Sequence, residues 1–161
     1  MKQILNKRTQ FDKNFLMSEK VKLLLNSLGL TQTQFSTLFP IDKIKKINQL
    51  TFLKTLDSYI ESLIIDEIDY HTNNQTNRII LIRFLNDDDF SLYEPEIFEI
   101  LKSYLVHRAL INRTKRAIER TRKKVEIVYM ESSFYETWLG VNDFDDSRDL
   151  RIIWAEQQLK D

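Results

Sequence analysis

The residues best suited to chemistry are few. His71 and His107 stand 36 positions apart, and neither has a second histidine or cysteine three or four residues away. Zinc sites draw on such closely spaced ligands, so the spacing predicts no zinc site. Asp87-Asp88-Asp89 offers oxygens to a hard cation, but the glycine and the downstream glutamate of a calcium-binding loop are missing, and a solvated loop or helix cap is expected. The chain has no cysteine, which removes disulfides, thiolate catalysis and cysteine-based metal sites. It has two glycines, Gly29 and Gly140. Phosphate-cradling loops, dinucleotide fingerprints and nucleophile elbows all need closely spaced glycines, so none can be built. Carboxylates are plentiful, yet nothing in the sequence places two of them around one cleft. The expectation is a non-enzymatic protein with no cofactor, no metal and no small-molecule substrate.

Charge is the next signal. Lys and Arg number 24, as do Asp and Glu, but they come in blocks. Residues 1–56 carry net +7, 57–106 net −8, 107–124 net +7 and 125–161 net −6. The sharpest block holds Arg108, Arg113, Lys115, Arg116, Arg120, Arg122, Lys123 and Lys124, opposed only by Glu119. On a helix, Arg113, Arg116, Arg120, Lys123 and Lys124 share a face. Such a face can neutralise phosphates and release counterions, or pair with an acidic protein surface such as 57–69 or 143–149. Asp143, Asp145, Asp146 and Asp149 stand beside Trp138, Phe144 and Trp154, a pattern that fits a protein-binding edge or the cap of a last helix.

The elements that position these residues read as helical. Two prolines and two glycines in 161 residues leave few tight turns, which disfavours a sheet protein. The apolar spacing predicts helices over 11–28, from Thr31-Gln32-Thr33-Gln34 (a capping box) through Phe39, over 41–70, and over 148–159 behind Asp145-Asp146-Ser147. Residues 71–77 read as a polar loop dividing a basic N-terminal helical region, 1–70, from a long-helix region, 78–161, within one composite domain. The long helix is predicted over 95–139, ended by Gly140. Its seam runs through Ile97, Ile100, Tyr104, His107, Ile111, Thr114, Ile118, Thr121 and Val125, in a 3-4 alternation that repeats every seven residues. Such a helix would be about 65 Å long and suits a partner helix or self-pairing. The run 78–85 reads equally as a buried strand or a short buried helix. A competing reading breaks the long helix near Lys124 and pairs 125–130 with 78–84 as strands.

Residues 20–47 resemble a helix-turn-helix unit through Leu30-Thr31-Gln32, Phe35, Leu38, Ile41, Ile44 and Ile47. The resemblance implies that Lys43, Lys45 and Lys46 lie on the helix that enters the major groove. Phe35 departs from the small residue usual there, and the turn holds Phe39-Pro40 without a glycine. The charged start Met1–Arg8 lacks the apolar core of a signal peptide, and the apolar runs Leu63-Ile64-Ile65 and Ile79–Ile82 are far below the roughly 20 residues that span a bilayer. The sequence therefore predicts an intracellular, all-α helical bundle with a small β element at 78–85 and 125–130 as the variant reading. Its function is expected to be that of a subunit or adaptor binding a protein partner, its own copy included. The alternative is nucleic-acid binding by 108–124, aided by 20–47.

Overall fold

Helix follows helix because few residues are spent on turns, and one short sheet interrupts the series. The computed structural model describes residues 18–39, 46–75 and 78–160. In order they form α1 (18–27), α2 (Gln32–Leu38), α3 (Lys46–Asn74), β1 (Arg78–Arg83), α4 (Asp87–Tyr93), α5 (Pro95–Leu101), α6 (Tyr104–Glu119), β2 (Lys124–Tyr129), α7 (Ser132–Asn142) and α8 (Arg148–Gln158). The chain divides into two compact units, Met1–Glu61 and Ser62–Asp161, with the division inside α3. Among the described residues no helix is long and apolar enough to cross a membrane.

In the first unit Gly29 takes φ 67 between α1 and α2, the left-handed conformation that a helix C-terminus asks of glycine. The capping box is real. Thr31 Oγ1 accepts from the Gln34 amide at 3.1 Å, and Gln34 Oε1 accepts from the Thr31 amide at 2.9 Å. Phe35, Phe39 and Phe52 pack with ring centroids 5.0–5.9 Å apart. Leu25, Leu28, Leu53 and Ile60 are buried in the same unit. Of the helix-turn-helix reading, Pro40 of the turn and the residues that follow, Lys43 and Lys45 among them, lie outside the described residues. Lys46 opens α3, and its side chain is likewise outside them.

The second unit is organised by two parallel strands. Arg78–Arg83 pairs with Lys124–Tyr129, Ile79 opposite Val125 and Leu81 opposite Ile127. Parallel strands need a long crossover, and α4, α5 and α6 supply it. Ile79 and Leu81 cluster with Ile111 and Ile118 of α6 and with Val125. Ile80 between them is also buried, and α8 packs on both strands. β1 is thus covered on both faces, which explains why its sequence is a continuous apolar run rather than an alternation.

The mostly helical fold and the small β element at 78–85 and 125–130 are therefore as read. The unbroken helix over 95–139 is not. The long helix of this chain is α3, and 95–139 is divided into α5, α6, β2 and most of α7. The first break follows Lys102, which is left-handed at φ 60, and Ser103 caps α6 by accepting from the Leu105 amide at 3.1 Å. The second break follows Glu119. Thr121 Oγ1 bonds back to the Ile118 carbonyl at 2.7 Å, Arg122 turns left-handed at φ 64, and the β-branched run Val125-Glu126-Ile127-Val128 then favours a strand.

Three smaller corrections concern where helices start and stop. Asp87-Asp88-Asp89 is no loop. It forms the first turn of α4, where Asn86 Oδ1 accepts from the Asp89 amide at 2.8 Å and the acids meet the positive helix end. Residues 71–74 extend α3 by a turn, with Asn74 Nδ2 donating to the Tyr70 carbonyl at 2.7 Å. Gly140 lies within α7, which ends instead at left-handed Asp143. The last helix is as predicted, with Ser147 Oγ accepting from the Leu150 amide at 3.2 Å.

Candidate functional site: a buried ionic cluster and an open strand edge

The last turns of α3 repeat at four residues, and that spacing sets Glu67, His71 and Gln75 on one side of the chain. All three are buried. Glu67 Oε2 lies 3.2 Å from His71 Nε2, and Gln75 Nε2 lies 2.8 Å from His71 Nδ1. The amide nitrogen can only donate, so Nδ1 accepts and Nε2 carries the proton toward Glu67. Gln75 also grips β1, with Oε1 accepting from the Ile80 amide at 2.8 Å and Nε2 donating to the Ile80 carbonyl at 3.1 Å. One carboxamide thereby acts as a strand on the outer edge of β1.

From α8, Arg148 Nη2 donates to both Glu67 oxygens at 2.6 Å, and its guanidinium stacks 3.9 Å from the Tyr70 ring centre. Burial works against ionising Glu67 more than any single neighbour favours it, but the His71 bond and the Arg148 charge together hold its carboxyl below the ordinary value. Tyr70 donates to Asp149, and burial first, then that bond, raises its hydroxyl pKa. One helical turn on, Arg151 donates to the Tyr93 carbonyl at 2.7 Å and to Glu94 at 3.3 Å, and lies 3.4 Å from Asp146. Burial raises the Glu94 carboxyl despite Arg151. Tyr135 donates to Asp146 at 2.7 Å. The acidic stretch beside Trp138 and Trp154 is thus partly consumed by internal bonds.

His107 faces the same interior. It is buried among Phe84 and Phe90, with ring centroids at 5.1 and 4.5 Å, and burial pushes its pKa down to about 4. A cavity of about 30 Å³ is lined by Glu67, His71, Glu94, His107, Arg148 and Arg151. That is room for a water or two. His107 Nδ1 and Thr114 Oγ1 are buried without a protein hydrogen-bond partner. Both His71 nitrogens and both Glu67 oxygens are hydrogen-bonded within the cluster, which clamps α3, β1 and α8 together. Among the described residues no group of three or more His, Asp or Glu side chains is placed to hold a metal ion.

The seam residues are brought together only in part. His107, Ile111, Thr114, Ile118 and Val125 are buried within the unit, where Ile111, Ile118 and Val125 pack on β1. Ile97 and Tyr104 are half-buried, while Ile100 and Thr121 are exposed. The chain itself covers the middle of the stripe that sequence spacing assigned to a partner helix.

The basic stretch wraps the end of α6 and the start of β2. Lys115 pairs with Glu119 at 3.6 Å and Lys124 with Glu126 at 2.8 Å, and neither Arg108 nor Arg113 is without a partner. Arg116, Arg120 and Arg122 are exposed and Lys123 is half-buried. The parallel register adds a residue that sequence spacing missed, Arg78, directly opposite Lys124.

A second surface follows from the sheet. Gln75 occupies the outer groups of Ile80, and the Met130 amide donates to the Arg83 carbonyl at 2.8 Å. With the register, these bonds fix which main-chain groups face inward. Lys124, Glu126 and Val128 turn theirs to β1, whereas Val125, Ile127 and Tyr129 turn theirs outward. No further strand lies beyond β2 among the described residues. Beside it lies a groove of about 360 Å³ lined by Ile127, Tyr129, Phe134, Trp154 and Leu159 among others. Tyr129 is 48% and Phe134 65% exposed. No protein-family model matches the chain. No curated protein matches it either.

Proposed function

We propose that this chain is a non-enzymatic interaction protein, a subunit or adaptor, that engages its partner through the outer edge of β2. The observation that carries the reading is the unequal treatment of the two sheet edges. β1 is closed by the buried Gln75 carboxamide. β2 keeps outward-facing amides at Val125, Ile127 and Tyr129 beside an apolar groove. Open edges are normally blunted because they recruit other strands, and strand addition is an established way to bind an extended segment. The partner is accordingly an extended polypeptide with apolar side chains at alternate positions. The commitment of His71 and Glu67 to the clamp supports a role without catalysis.

The test is a titration of the full chain with a synthetic peptide of alternating Val and Thr flanked by lysines, followed by amide resonances. Shifts at Val125, Ile127 and Tyr129 are expected, and they should vanish when the peptide's central amides are methylated. Unchanged resonances at those three positions would overturn the reading.

One observation favours a second reading, binding to the phosphate backbone of a nucleic acid. The register sets Arg78 beside Lys124, next to Arg122 and Lys123 and below the end of α6. Replacing Arg116, Arg120, Arg122 and Lys123 by alanine should flatten the salt dependence of duplex binding, measured by fluorescence anisotropy, by about 3–4 in log–log slope. An unaltered slope would remove this reading.

A further inference from the structure

We infer that the strand received by β2 is β2 of a second copy, paired antiparallel and centred on Ile127. The inference rests on the β2-edge reading proposed above and names its partner. It is carried by self-complementarity along the edge. In this register Ile127 faces Ile127 of the other copy, and Val125 faces Tyr129. These are the three residues whose main-chain groups point outward. All three therefore fall in hydrogen-bonded pairs, and the two-fold axis yields six new main-chain bonds. The cross-strand pairs are β-branched on β-branched and aromatic on β-branched, which are favourable combinations.

Charge favours this register over those centred on Glu126 or Lys124. One step beyond Val125 and Tyr129 on the same face, Lys123 meets Glu131 of the other copy twice over. Glu131 has extended backbone, φ −107 and ψ 92, so the run can continue to that pair. Glu126 faces Val128, and Lys124 faces Met130. No like charges stand opposite each other. Shifting the centre by one residue to Glu126 would set two carboxylates face to face, and a shift to Lys124 would do the same with two ammonium groups. The result is a four-stranded sheet, β1–β2–β2–β1, whose outer strands are each already closed at Ile80 by Gln75. A closed two-fold pairing of this kind uses up the β2 edge of both copies.

The experiment is sedimentation equilibrium of the full chain from roughly 5 to 200 μM, a range that brackets micromolar association. It is combined with hydrogen exchange at Val125, Ile127 and Tyr129. A concentration-dependent dimer is expected, with those amides protected only at the higher concentrations. Lys123→Glu and Glu131→Lys should each weaken it about tenfold, because two favourable cross-strand pairs become two repulsive ones. The double variant Lys123→Glu/Glu131→Lys should restore it. Circular dichroism confirms that each variant is folded. A chain that stays monomeric while still binding the Val-Thr peptide at β2 overturns this inference alone. A chain that does neither overturns the edge reading as well. A dimer insensitive to both single reversals also overturns the pairing.

Discussion

Replacing Arg148 by methionine is expected to lower the stability of the second unit by about 3 kcal/mol. Methionine keeps much of the side-chain length and removes the guanidinium. Glu67, only 5% exposed, would then hold a buried carboxylate with His71 as its remaining partner. Stacking on Tyr70 at 3.9 Å would go with it. Truncating one member of a buried pair costs far more than the pair is worth, because the other charge is left in a poorly solvating interior. For a unit of this size, Ser62–Asp161, the change corresponds to a melting temperature lower by roughly 12–24 °C. Both tryptophans, Trp138 and Trp154, lie in this unit, so fluorescence during urea unfolding reports on it directly. The double variant Glu67→Gln/Arg148→Met should cost clearly less than the sum of the two single changes. A loss below about 1 kcal/mol for Arg148→Met would class the contact with exposed surface pairs and end the clamp account.

Acidification should destabilise the protein well before its carboxylates are neutralised. His107 has its folded pKa pushed down to about 4 from an ordinary 6.5, chiefly by burial. Above pH 6.5 the ring is neutral in both folded and unfolded chains, and it contributes nothing to pH dependence. As pH falls from 6.5 to 4, the unfolded chain takes up a proton that the folded chain refuses. Stability drops through that window by about 3 kcal/mol in total.

The charged groups that act on His107 are Glu67, which raises its pKa, and Arg148 and Arg83, which lower it. Glu67 itself is held low, so its stabilising share is lost only as pH falls through and below the usual carboxylate range. Glu94, held high, works in the opposite sense. His107→Phe, set among Phe84 and Phe90, should flatten the stability profile between pH 6.5 and 4 and leave the steeper loss below it. Urea unfolding of both proteins at a series of pH values reads this out. Parallel profiles for the two would show that another group governs the acid response.

These two predictions rest on contacts of different visibility. Glu67, His71 and Gln75 follow each other at four-residue steps, a spacing visible in the sequence as one helix face. Their partner is not visible, because Arg148 lies 81 residues from Glu67. No pattern of neighbours reports a pairing at that separation. The sequence assigned His107 to a seam for a partner helix, whereas the ring is buried within its own unit among Phe84 and Phe90 from other elements.

The sequence by itself determined what depends on nearest neighbours. Scarce glycine and proline made the chain mostly helical. Thr31 with Gln34, Gly29 and Ser147 marked helix ends, because caps are satisfied by residues within three or four positions. Only the tertiary structure decided the fate of 95–139. Ile111, Ile118 and Val125 recur every seven residues in either reading, and a recurrence of seven serves a helix seam as well as it serves a helix followed by a strand. What separated them was β1, which offers Val125–Tyr129 a ladder of main-chain bonds and an apolar face that a lone projecting helix would lack. Local propensity proposes an element, but the burial and hydrogen bonding that choose between near-equal elements come from residues distant in sequence.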